Sequence, residues 1–165
     1  MQYRRFGRTD WQVSDIGYGM WGMAGWTESD DEQSSASLQK AVDLGCNFFD
    51  TAWNYGAGHS ESLLGALVRN NAGKKIYTAS KIPPKNLQYP SRPDATLDET
   101  FPAYHIEEYV HKSLENAGLE YFDLMQFHVW QDAWVKDDRW AKEIGELTHQ
   151  GLIKAVGISL NRWEP

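Results

Sequence analysis

The fold is decided by residues 106–128. They read Ile106-Glu107-Glu108-Tyr109-Val110-His111-Lys112-Ser113-Leu114-Glu115-Asn116-Ala117, then Gly118-Leu119-Glu120-Tyr121-Phe122-Asp123-Leu124-Met125-Gln126-Phe127-His128. In the first part, Ile106, Tyr109, Val110, Ser113, Leu114 and Ala117 recur at i, i+3, i+4 spacing, which is one face of a helix. In the second part the spacing collapses to a continuous run, Asp123 to Phe127, as expected of a strand buried on both sides. A helix feeding such a strand is the repeating unit of a parallel sheet.

Working outward, the same alternation recurs. Toward the N-terminus, Ile76 to Ser80 predicts a strand and Ser60-Glu61 opens a helix carrying Leu63, Leu64, Leu67 and Val68. Before that, Asn47 to Asp50 reads as a strand. A preceding helix has cap candidates Ser29 and Asp30, an apolar face of Leu38, Ala41 and Val42, and a stop at Gly45. Asp15 to Tyr18 is a weak first strand. Toward the C-terminus come a helix from about Trp140 to Gln150 and a strand from Ile153 to Ser159. The order β-α-β-α-β-α-β-α-β predicts an α/β fold over one domain, residues 1–165. In front of it, Gln2–Phe6 and Trp11–Val13 flank Gly7-Arg8-Thr9-Asp10, which predicts a small hairpin. Pro83 to Pro102, rich in Pro, Asp and Thr, reads as one long loop, a length that usually serves a site or moves.

Composition narrows the function. The formal net charge is −7, with 41% hydrophobic and 24% charged residues, so the chain can bury a core and lacks the basic stripe of a nucleic-acid binder. Eight Trp, eight Tyr and six Phe exceed what a small core needs and hint at an aromatic-lined site. The single cysteine, Cys46, excludes an internal disulfide and a thiolate metal cluster, and it reads as a buried thiol. No apolar run follows Met1-Gln2-Tyr3-Arg4-Arg5, so no signal peptide is expected, and no membrane span is legible. The expected setting is the cytoplasm.

Four polar residues stand at one structural place on different strands. Asp50, Lys81, His128 and Ser159 each close or follow a predicted strand, and in a parallel sheet all carboxyl ends lie on one rim. That rim holds the ligand sites of α/β barrels and open sheets alike. Alone, each has an ordinary explanation: a cap, a solvated lysine, a hydrogen-bonded core histidine. Four in register favour a site. Tyr55 belongs to the loop overhanging the same rim. An ammonium beside a tyrosine favours the phenolate and lowers its pKa, and a carboxylate anchors the ammonium. Tyr55, Lys81 and Asp50 thus make a proton-donating unit, with His128 available to orient a carbonyl oxygen.

The stretch Asp50-Thr51-Ala52-Trp53-Asn54-Tyr55-Gly56, continued by Ser60-Glu61-Ser62-Leu63-Leu64-Gly65, resembles the aldo-keto reductases. So do Gly19-Met20-Trp21-Gly22, Lys81, Leu124 to His128, and Val156-Gly157-Ile158-Ser159-Leu160-Asn161. The resemblance implies a (β/α)8 barrel, of which about the first five strands are present. It implies an enzyme that reduces an aldehyde or ketone to an alcohol with NADPH and no metal. Tyr55 would be the general acid, assisted by Lys81 and Asp50, while His128 positions the carbonyl. Met20, Trp21 and Asp50 would lie near the nicotinamide, and Ser159 and Asn161 would bind its carboxamide. Leu160 separates that Ser and Asn, which are adjacent in most of the family. Trp21, Trp53 and Trp130 are candidates to line the substrate pocket. Two further readings come with the resemblance: a non-catalytic binding barrel like the potassium-channel beta subunits, or a half-barrel that acts only after self-association through its open edge.

Overall fold

The computed structural model describes residues 1–26, 28 and 30–160. Twelve elements position the site. A hairpin of β1 (Tyr3–Arg5) and β2 (Gln12–Ser14) comes first, antiparallel with Tyr3 opposite Ser14. Then follow β3 (Tyr18–Gly19), α1 (Asp31–Asp43), β4 (Phe48–Asp50), α2 (His59–Asn70), β5 (Tyr77–Ile82), α3 (Leu97–Thr100), α4 (Ala103–Ala117), β6 (Phe122–Phe127), α5 (Arg139–His149) and β7 (Ile153–Ile158). Strands β3 to β7 form one sheet in sequence order, every pair parallel.

Helix signals act where the sequence places them. Asp30 caps α1 by accepting from the Gln33 amide at 2.6 Å; the other cap candidate, Ser29, lies outside the described residues. Two expectations shift. The first strand forms at Tyr18–Gly19 instead of Asp15–Tyr18, because Ser14 turns the chain by donating its hydroxyl to the Ile16 carbonyl at 2.7 Å. The stretch from Pro83 to Pro102 is not loop throughout. It contains α3, nucleated by a capping box in which Thr96 and Glu99 satisfy each other's backbone amides.

Alternation along the strands sorts side chains onto two faces. Phe49, Ser80, Met125 and Phe127 turn toward the helices; Asp50, Lys81 and Gln126 turn to the other face, where Lys81 and Gln126 both reach Asp50. The helix-side core gathers Phe49, Leu64, Phe101, Ile106, Met125, Phe127 and Leu147, all essentially buried. Helices α2 and α4 touch so closely that a Cβ at Gly65 would fall 1.6 Å from the Ala117 carbonyl oxygen. The hairpin sits at the opposite end of the sheet from the site. Phe6 packs against Phe48 and Trp11 against Tyr77, covering the amino ends of β4 and β5. Cys46 is buried as read, its thiol directed at the Ile16 carbonyl.

Candidate active site

Parallel pairing brings the carboxyl ends of β4 to β7 together, and the charged centre of that rim is Asp50. Lys81, 5% exposed, donates to Asp50 Oδ1 and to the Thr51 carbonyl at 2.7 Å. The second carboxylate oxygen, Oδ2, accepts from Gln126 Nε2 at 2.8 Å. Both oxygens of Asp50 are therefore engaged, and the ammonium is desolvated but paired, the condition under which a buried charge is tolerated.

Tyr55 reaches this centre from the turn after β4. The Thr51 amide donates to the Ala79 carbonyl and the Trp53 amide to the Lys81 carbonyl, which ties the turn to β5. Gly56, at φ +69, then bends the chain where a Cβ would meet the Ala24 carbonyl at 3.2 Å. The half-buried Tyr55 ring has the Lys81 ammonium 5.1 Å from its centroid. Here one expectation is overturned. Lys81 does not depress the phenol; burial raises its pKa, and the Asp50 charge raises it further. The physical reason is that Asp50 already neutralises the ammonium, so desolvation outweighs its pull.

His128 follows β6, held by its amide donating to the Ile82 carbonyl at 3.1 Å. Its ring stands edge-on to Tyr55 at 5.8 Å and to Tyr89 at 5.0 Å. Burial, and secondarily the Lys81 charge, lower its pKa to about 4, so the ring is neutral at pH 7. Its Nδ1 is buried without a hydrogen-bond partner, as is Asn54 Oδ1 beside Tyr55.

The remaining predicted residues divide. Ser159 stands on the rim, its amide donating to the Phe127 carbonyl at 2.8 Å. Trp21 is 58% exposed and packs on Trp26, which in turn meets Tyr55 edge-on at 6.1 Å. Trp53 stands edge-on to Tyr109 of α4 at 4.7 Å. Trp130 packs among Phe127, Trp134 and Trp140. Met20 is wholly buried; its amide donates to the Asp50 carbonyl and its carbonyl accepts from Ser60. Asn161 lies outside the described residues. Sequence reasoning missed Gln126, Tyr89, Trp26 and Asn54. Gln126 was within reach, since it stands two residues before His128, just inside the strand, on the Lys81 face.

A hydroxyl, a paired ammonium and a neutral imidazole around one rim can give a proton to an oxygen and hydrogen-bond the same oxygen. The family model described as Aldo/keto reductase family matches residues 15–165. Aldo-keto reductase YhdN of Bacillus subtilis (strain 168) is 32% identical over 165 residues, taking in 96% of this chain and 47% of that protein. Aldo-keto reductase AKR11C1 from Bacillus halodurans, solved in a holo form, superposes with a TM-score of 0.77 at 26% identity, over 98% of this chain and 51% of its own. An aldo/keto reductase from Klebsiella pneumoniae, solved in complex with NADP and acetate, gives 0.74 at 23% identity, over 95% and 49%, a likeness of fold. The structural neighbours are (β/α)8 barrels, and the five-stranded parallel sheet is of that type. The chain spans about half the length of the curated relatives it matches.

Proposed function

The chain belongs to the aldo/keto reductase family, and on that premise we propose that it carries the proton-donating half of an NADPH-dependent carbonyl reductase site. The observation that carries the reading is the convergence of Tyr55, the Asp50–Lys81 pair and neutral His128 on one rim. Burial keeps Tyr55 protonated at neutral pH, as a donor must be before reaction. When the carbonyl oxygen gains charge, Tyr55 gives up its proton to it, and the ammonium 5.1 Å from the ring offsets only part of what burial and the Asp50 charge cost the phenolate that remains. His128, with Nδ1 buried, has Nε2 left to hydrogen-bond that oxygen and align the carbonyl.

The residues present fit the nicotinamide end of the cofactor. Asn54 Oδ1, one residue before Tyr55, and His128 Nδ1, in the ring that stands edge-on to Tyr55, are buried polar atoms without a partner, as the surroundings of a polar ligand's site can be. Ser159 would hold the carboxamide, and Asp50 and Trp21 would flank the ring. NADPH, when bound, supplies the hydride. Met20 would contribute packing alone, since its polar groups are engaged within the fold. The substrate would be an aldehyde or ketone entering beside Trp21, Trp26 and Tyr89.

The test is Tyr55→Phe in the whole gene product. Reduction of a simple aromatic aldehyde should fall by about 10²–10⁴-fold, the usual worth of a general acid. NADPH binding, followed by tryptophan fluorescence, should stay within about twofold because the hydroxyl acts in the transition state. Turnover equal to that of the unmodified protein would refute the assignment.

A further inference from the structure

Among the described residues the Asp50 carboxylate has two donors, and only one of them is an ion. Gln126 is the register partner of Lys81 on the neighbouring strand, on the same face of the sheet. Lys81 takes Oδ1 and Gln126 takes Oδ2 at 2.8 Å. One strand further, opposite Gln126, stands Gly157. A Cβ there would meet Gln126 Cγ at 3.3 Å, Leu124 Cδ1 at 3.4 Å and Gln126 Oε1 at 3.9 Å. A side chain on β7 at this position would press on the Gln126 side chain by a few tenths of an ångström on its way to Asp50.

A carboxylate gripped at one oxygen can still turn about its Cβ–Cγ bond, which would leave the ammonium with the Thr51 carbonyl as its fixed partner. A second donor on the other oxygen removes that freedom. The donor is also electrically suited: a carboxamide fixes Oδ2 without altering the balance of one negative and one positive charge. A lysine or arginine there would compete with Lys81, and an acid would repel Asp50.

We propose that Gln126 is a positioning residue of this site: it locks the Asp50 carboxylate at the oxygen that Lys81 does not hold, beside a glycine at 157 that leaves it room. The inference rests on the reductase reading. Gln126 acts through Asp50 and Lys81, keeping the ammonium where the Tyr55 ring lies.

Three variants of the whole gene product test this with NADPH and an aromatic aldehyde. Q126M removes the donor at nearly constant volume. It should lower kcat about tenfold while both KM values stay within about twofold, the pattern of an interaction that matters in the transition state. Q126E is nearly isosteric, and it keeps the test open should Q126M fold poorly. At pH 7 it should be slower than Q126M, because two facing carboxylates repel. Toward about pH 5.5 its deficit relative to the unmodified protein should shrink, since one carboxyl that takes up a proton becomes the donor Gln126 was. G157A should act in the direction of Q126M and add little to it in the double variant, as coupled neighbours do. A kcat within about twofold for both Gln126 variants, or a Q126E deficit that ignores pH, overturns the proposal. If the unmodified protein reduces no carbonyl, the reductase reading fails by itself. The positioning role is then read from the Lys81 ammonium resonance in ¹⁵N-lysine spectra. That signal should broaden in Q126M, and an unchanged signal overturns the proposal.

Discussion

His128 shows at the scale of one residue how environment outweighs identity. Its ring is neutral because burial disfavours the charged form, and the Lys81 ammonium adds repulsion. The consequence for stability has a definite sign. An unfolded histidine takes up a proton near its ordinary pKa of about 6.5, whereas this one holds out to about 4. Acidification through that window protonates the unfolded chain first, so the contribution present above pH 6.5 is lost on the way down. Between pH 7 and about 4.5 the loss from this group should be roughly 2–3 kcal/mol. Urea unfolding at both pH values should show that slope in the unmodified protein and a shallower one in His128→Gln. Equal slopes would mean the ring is not depressed. Glu61 works the other way: burial raises its pKa despite donors from Ser80 at 2.5 Å and Asn116 at 2.8 Å. Acidification therefore stabilises the fold through Glu61, which is why the comparison must be made against the His128 variant.

Between elements, the α2–α4 contact controls how the site is held. Glu61 ties α2 both to β5, through Ser80, and to α4, through Asn116. Ser80 adjoins Lys81, so the helix-side anchor and the site-side ammonium are successive residues of one strand. The close approach that allows this depends on Gly65. A methyl group there meets the Ala117 backbone, which has no flexible end to swing aside. Gly65→Ala should cost about 3 kcal/mol or more, at the upper end of overpacking, by forcing the helices apart. The denaturant midpoint should drop accordingly, whereas a midpoint unchanged within error would show that the helices separate without strain. The helix periodicity of residues 106–117 and 60–68 is legible in the sequence. That the two helices touch at one glycine is not, because it depends on crossing geometry.

At the scale of the whole sheet, the described residues leave two outer strands, β3 and β7. On β7 the side chains of Val156 and Ile158, at 41% and 43% exposure, stand on the helix-side face with the backbone edge beside them. An apolar strand with a free edge is a template for pairing. Residues 1–165 expressed by themselves should therefore associate at micromolar concentration, as seen by sedimentation. Joint replacement of Val156 and Ile158 by Lys should shift the chain toward monomer. A sharp monomer peak for the unsubstituted chain would show that the edge is protected.

Asp50, Lys81, His128 and Ser159 could be brought to one rim from sequence alone, because short apolar runs alternating with helical stripes admit few arrangements other than a parallel sheet, and such a sheet aligns its carboxyl ends. The hairpin, the core faces and the turn carrying Tyr55 were legible for the same reason: each is a local pattern of spacing. Three features came only with the tertiary structure. Gln126 met the second oxygen of Asp50, Tyr89 came against His128 from the long connection after β5, and the Tyr55 pKa rose where the adjacent lysine promised a fall. Each is a balance between groups far apart in the chain. Periodicity names the face on which a side chain stands, but burial and the partners that reach it from other strands decide which of its charges is felt.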